Sequence, residues 1–260
     1  MWEVGDDSEV VAFAGDWHGQ IAGVEEKLVR LADAGVTRVL HVGDFAIWPD
    51  RGGRVFLDRV DALADAAGIR IAVTPGNHED WDFLTKAFAA AGEGNPALIR
   101  HSIAALPRGF RWTHQQRSFV SLGGAASIDY QLRRVNRDWW VDEVPTEADV
   151  ERVSLGGFAE IMVLHDSPDP GTASVNMIRE NPSGWPADAR RYARAGAQRI
   201  TEAWQAVQPT LTVHGHFHVR GEITLPTGQR IVSLAEETTA GNVLLLNLHT
   251  LETTWLENLQ

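Results

Sequence analysis

Val10-Val11-Ala12-Phe13-Ala14-Gly15-Asp16-Trp17-His18 joins a short apolar run to a cluster of metal-competent side chains. A run this short, β-branched and closed by glycine, reads as a buried strand and not as a helix. The same arrangement recurs four times. Val39-Leu40-His41-Val42 runs into Gly43-Asp44, and Ile71-Ala72-Val73 into Gly76-Asn77-His78-Glu79. Ile161-Met162-Val163-Leu164 runs into His165, and Leu211-Thr212-Val213 into His214-Gly215-His216-Phe217-His218. Each run delivers its polar cluster at the carboxyl end of a strand. Between the first three runs, Val24, Leu28 and Leu31 share one helical face and Phe56, Val60 and Leu63 another, at i, i+4, i+7 spacing. Strand, helix, strand, helix, strand implies parallel βαβ units and an α/β fold, in which ligands gather at the carboxyl ends of the strands.

Beyond Leu98 the pattern changes to hairpin-like pairs. Phe110 to Thr113 pairs with Ser118 to Leu122, Glu222 to Leu225 with Arg230 to Leu234, and Val243 to Leu248 with Thr253 to Leu256. Together they predict a second, mixed or antiparallel sheet. Two stretches interrupt the pattern as loop-like insertions, 125–157 and 167–186. The first carries Arg133, Arg134, Arg137, Trp139 and Trp140 before a capping-box sequence at Thr146 that starts a short helix. No linker divides the chain, so residues 1–260 are expected to form one domain.

Composition narrows the chemistry. With 44% hydrophobic and 22% charged residues the chain is of globular type. Its 35 acidic and 23 basic residues give a net charge of -12, which repels a polyanion, so strong nucleic-acid binding is not expected. There is no cysteine, so any metal must be held by His, Asp, Glu or Asn. The start, Met1 to Asp7, lacks the basic and apolar regions of a signal peptide, and no run approaches the ~20 apolar residues that span a bilayer. A cytoplasmic protein without a membrane partner is the expectation.

Taken singly, the clusters are weak. Asp16 and His18, one residue apart, fall on one face in extended backbone and could share an ion, but a turn Asp beside an exposed His reads the same way. Asp44 could cap a helix or bridge two cations through its two oxygens. Asn77 offers a neutral oxygen and His78 a hydrogen bond or a proton, within what could equally be an ordinary Pro-Gly-Asn turn. His165 could be a core histidine. His216 and His218 point the same way in extended backbone and form the strongest local signal; a mononuclear His-x-His site would use them but leave the other clusters unexplained. His41 and His214, in or at the end of strands, fit core or supporting roles better than ligation.

Five clusters in one order, each at a strand end, carry more weight than any one of them. As an ordered set, Asp16-Trp17-His18, Gly43-Asp44, Gly76-Asn77-His78-Glu79, His165 and Gly215-His216-Phe217-His218 resemble the calcineurin-like metallophosphoesterase family over about residues 10–220. The resemblance implies an α/β/β/α sandwich of two mixed sheets flanked by helices. It implies one divalent metal held by Asp16, His18, Asp44 and His218, and a second by Asp44, Asn77, His165 and His216, with Asp44 as the bridge. Manganese stands ahead of iron, zinc or nickel. It further implies hydrolysis of a phosphomonoester or phosphodiester by a metal-bridging hydroxide, with His78 assisting the leaving group. The chain departs from the family at one point: Gly-Asp-x-x-Asp is often found there, and here Ile47 stands in the second Asp position. Its loss bears on support or substrate preference more than on the metals.

Two ions bring four positive charges against two carboxylates, and the surplus suits a small anionic ester. Arg133, Arg134 and Arg137 with Trp139 and Trp140 could supply an arginine fork for phosphate and an aromatic face for a base, which makes a nucleotide one candidate, or form a solvated basic turn packed by the two tryptophans. Gly123 to Asp129 with Arg133 resembles a stretch of some bacterial and phage members of the family, so Asp129, Arg133 and Trp139 are the candidate substrate residues. The competing uses of such a fold are a silent metal-binding scaffold that binds a partner, and a nuclease. The sequence does not specify an oligomeric state.

Overall fold

The computed structural model describes residues 8–181 and 184–258. The Met1 to Asp7 segment, read above for targeting signals, lies outside the described residues. Strands β1 (Val10–Ala14), β2 (Arg38–His41) and β3 (Arg70–Val73) pair in parallel, linked by α1 (Val24–Asp33) and α2 (Arg51–Ala66). These are the βαβ units expected from the opening stretch. Helix α3 (Trp81–Ala91) then leads to the short strands β4 (Ala97–Leu98) and β5 (Ile103–Ala105), and β5 extends the sheet in parallel beside β3.

The second sheet contains β6 (Arg111–His114), β7 (Arg117–Leu122), β8 (Ile161–Leu164), β9 (Leu211–His214), β10 (Gly221–Thr224) and β11 (Arg230–Ser233). It is mixed. β7, β8, β9 and β11 run parallel, while β6 and β10 add antiparallel edges through the two expected hairpins. The third hairpin, β12 (Val243–Asn247) with β13 (Thr253–Trp255), corrects the sequence expectation: it joins the first sheet, where β12 lies antiparallel to β1 with Phe13 opposite Leu244. A hairpin's alternation fixes its own pairing but not the sheet it docks on.

The period of two along β1 makes the layers. Ala12 and Ala14 face a core with Leu28, Leu31, Phe56 and Val60 of α1 and α2, whereas Val11 and Phe13 face Phe119, Ile161, Val163 and Val213 of the second sheet. On the far side of that sheet, Val120, Leu122, Met162 and Leu164 pack against Ile200, Ala203 and Trp204 of α6 (Ala187–Val207) and Val153 of α4 (Glu147–Leu155). Helix, sheet, sheet, helix is the resulting order. Helix α4 starts at Thr146 with both capping-box bonds to Asp149 in place. The stretch 167–186, read as loop-like, instead holds α5 (Ala173–Glu180), capped by Thr172 Oγ1 accepting from the Val175 N–H. Its Ser, Asn and Gly residues are helix-cap and turn formers, and they hid an eight-residue helix behind a loop-like composition. Among the described residues no helix is long and apolar enough to cross a membrane.

Candidate metal centre

The strand ends place the five clusters on one edge of the sandwich, but not in the extended backbone that the spacing suggested. His18, Asp44, His216 and His218 all have positive φ, at 46°, 53°, 68° and 56°. These are left-handed turns just beyond β1, β2 and β9. Non-glycine residues are held there only where the surroundings over-determine them, and such strain gathers at functional sites. Two glycines let the turns approach: a Cβ at Gly76 would run into Asp44 Oδ1, and one at Gly215 into Asp16 Oδ1.

The turns bring ligand atoms of Asp16, His18, Asp44 and His218 all within 4.8 Å of one another. His218 Nε2 lies 3.1 Å from Asp16 Oδ2 and 3.0 Å from His18 Nε2, while Glu236 Oε2 stands 3.5 Å from His218 Nδ1. With a cation in place of the hydrogen that Nε2 shares with Asp16, a hydrogen on Nδ1 would face Glu236, an arrangement typical of metal-binding histidines. Asp16 Oδ1 is buried without a hydrogen-bond partner. Its other oxygen accepts from the His216 N–H at 2.9 Å. The hydrogen bond to Asp16 holds His218 above the usual histidine range despite its burial.

A second convergence lies on the other side of Asp44. His165 Nδ1 donates to the Val42 carbonyl at 2.7 Å, so in a neutral ring Nε2 carries a lone pair. That nitrogen faces Asn77 Oδ1 at 2.9 Å and Asp44 Oδ1 at 3.4 Å. Three acceptors meeting in a buried place need a cation between them, a proton or a metal ion. Burial alone would lower the His165 pKa, but the Asp44 carboxylate outweighs it and pushes it up to about 10. His216 completes this side, its ring edge-on to His165 at 5.1 Å between centroids. His41 and His214 are buried outside the cluster. His41 Nδ1 accepts from the Gly43 N–H at 3.2 Å between the rings of Trp17 and Phe45, and burial pushes His214 down to about 3.

His78 lies over Asp44. Its backbone N–H donates to Asp44 Oδ1 at 2.9 Å, and its ring is part-exposed with Nε2 3.9 Å from Asp44 Oδ2. Burial lowers its pKa, Asp44 counters, and the neighbouring Arg133 adds to the lowering. Arg133 places Nη1 2.9 Å from His78 Nδ1 and Nη2 3.2 Å from His78 Nε2, while its Nε donates to Asp129 Oδ1 at 2.7 Å. The insertion thus reaches the centre through Arg133, with Asp129 behind it. The Trp139 indole N–H donates to Glu143 Oε1 at 2.9 Å, and its ring lies 5.4 Å from that of Tyr130.

Sequence reasoning assigned no role to Glu79, Ser127, Glu143 or Glu236. Glu79, within a quoted motif, is buried and accepts from the N–H groups of Phe45 at 2.7 Å, Ala46 at 3.0 Å, Asp44 at 3.2 Å and Gly76. It ties the Asp44 turn to the Asn77 turn. The family-type Asp missing at position 47 is replaced by a fully buried isoleucine in the helix-side core. Glu143 is buried, and loss of solvation pushes its carboxyl up from 4.5 to about 7 despite four hydrogen bonds. Its folded-state pKa is raised, so the contribution to stability is complete below 4.5 and lost as the pH rises through about 7. Urea unfolding of metal-free protein is expected to show ~3 kcal/mol less stability at pH 8 than at pH 4.5 from this group, at about 1.4 kcal/mol for each tenfold change in proton affinity. Glu143→Gln should flatten that slope; an unchanged slope would remove the assignment.

The model of the calcineurin-like phosphoesterase family matches residues 10–220. Among solved structures, a dimetal phosphatase from Danio rerio is similar with a TM-score of 0.61 at 12% identity, over 94% of this chain and 93% of that one. A protein of Thermus thermophilus, TT1561, is similar with a TM-score of 0.58 at 14% identity, over 95% of this chain and 98% of that one. At such identities the likeness is one of fold. The comparison with curated proteins gives no match.

Proposed function

The chain belongs to the calcineurin-like phosphoesterase family, and from that premise we propose that it hydrolyses a small phosphate ester, monoester or diester, at a centre of two divalent cations. The observation that supports this best is the meeting of potential ligand atoms around Asp44: His165 Nε2 and Asn77 Oδ1 on one side, and the cluster with Asp16, His18 and His218 on the other. In our assignment Asp16, His18, Asp44 and His218 hold one cation and Asp44, Asn77, His165 and His216 the other. Manganese is our first candidate, with iron, zinc or nickel as alternatives, since all four accept imidazole and carboxylate together. When bound, such ions act as Lewis acids and lower the pKa of water at the site.

The chain's own residues do the rest. Asp16 and Asp44 leave two of the four metal charges uncompensated, which draws in an anionic ester. His78, whose pKa is lowered by burial and by Arg133 against the pull of Asp44, is placed to offer an N–H to the leaving oxygen. Arg133, braced by Asp129, can fork two phosphate oxygens. Trp139 beside Tyr130 offers a face to a planar leaving group, so a nucleotide is a fitting substrate class.

The test is hydrolysis of an aryl phosphate monoester and an aryl phosphate diester by chelator-stripped protein before and after Mn2+ is added. Turnover of at least one class is expected only with the metal. Protein that holds two metals and turns over neither class would contradict the proposal.

A further inference from the structure

Glu143 lies outside every motif of the sequence, yet its carboxylate gathers four donors. Oε1 accepts from the Ser127 N–H at 2.7 Å, the Trp139 indole at 2.9 Å and the Tyr192 hydroxyl at 2.8 Å, and Oε2 accepts from the Ser127 hydroxyl at 2.7 Å. Above about pH 7 the group is an ionised carboxylate and has no hydrogen to give. The one hydrogen on Ser127 Oγ is therefore committed to Glu143, and toward its other neighbour Ser127 can only accept. That neighbour is the Asn77 amide, whose Nδ2 donates to Ser127 Oγ at 2.9 Å. An amide that turns its NH2 to Ser127 must turn its carbonyl oxygen the opposite way. Asn77 Oδ1 accordingly faces His165 Nε2 at 2.9 Å.

We infer that Glu143 is a positioning residue for metal binding: through the Ser127 hydroxyl it fixes the rotation of the Asn77 amide, so that Oδ1 and not Nδ2 faces the cation position beside His165 and Asp44. This rests on the two-metal reading above and extends it to a residue remote from either position. Without the carboxylate, Ser127 is free to donate to Oδ1. The flipped amide then aims two N–H hydrogens at a cation and withdraws one ligand. Glu143 also holds Trp139 of the insertion and Tyr192 of α6. The orientation of a metal ligand is thereby tied to the segment that carries Arg133.

The test measures Mn2+ binding at pH 8 to wild type, Glu143→Gln, Ser127→Ala and the double variant by equilibrium dialysis, with melting curves of the metal-free proteins alongside. Ser127→Ala leaves the carboxylate its other three donors, so it carries the test by itself if Glu143→Gln does not fold. The expected result is one Mn2+ bound as in wild type and the other about 10- to 100-fold more weakly in each single variant. The double variant should be no worse than either, because both residues act in one chain. Wild-type affinities in a variant that melts normally, or a loss in Glu143→Gln that Ser127→Ala does not share, overturns the inference while the two-metal reading stands. Wild type that binds fewer than two Mn2+ overturns that reading, and this inference with it.

Discussion

Asp44→Asn is expected to disturb both metal positions at once and to lower kcat/KM by about 10³-fold, the scale of several kcal/mol of charge stabilisation. The reason is its central place. Asp44 is nearly fully buried, belongs to the cluster with Asp16, His18 and His218, and also stands 3.4 Å from His165 Nε2. Burial by itself would raise its pKa, but the neighbouring His165 and His78 side chains hold it well below the ordinary carboxylate value. Asparagine keeps the shape and one oxygen. It loses the charge and places N–H hydrogens where a cation would lie. Metal analysis of the purified variant should find fewer than two ions per chain, and a variant with two ions and wild-type kcat/KM would show that Asp44 is not shared.

His78→Ala should behave in the opposite way, retaining both metals and lowering kcat by about 10²- to 10³-fold, as loss of a positioned proton donor does. The distinction follows from which atoms the substitution removes. The contact from His78 to Asp44 Oδ1 at 2.9 Å is made by the backbone N–H, which alanine keeps. The imidazole that alanine loses is part-exposed, lies beside Arg133 and belongs to neither set of converging acceptors. Metal analysis and steady-state kinetics on one preparation separate the two roles. Metal loss equal to that of Asp44→Asn would make His78 a ligand instead.

Much of the fold was legible because the buried strands and two helices obey simple periods. The parallel core from β1 to β3 follows from runs such as Val39 to Val42 and faces such as Val24, Leu28 and Leu31. What escaped had weak or ambiguous local signals. The buried face of α6 includes Ala189, Gly196, Ile200, Ala203, Trp204 and Val207, and small residues scarcely register as an apolar stripe. The β12–β13 hairpin signals a pair of strands but not that β12 docks on β1. At the site, the motifs named the residues that approach Asp44 but not how they do so. The left-handed turns at His18, His216 and His218 arise from tertiary packing, which spacing does not encode. Glu143 and Ser127 lay beyond reach for the same reason: 16 positions apart, they meet only because the insertion folds back over the centre.

The most direct measurement is the number of Mn2+ ions that the wild-type chain holds when saturated and freed of excess metal by gel filtration, counted by elemental analysis. Two per chain are expected, with both positions weakened by the single change at Asp44. One ion or none, or two ions that Asp44→Asn retains with unchanged affinity, would contradict that expectation.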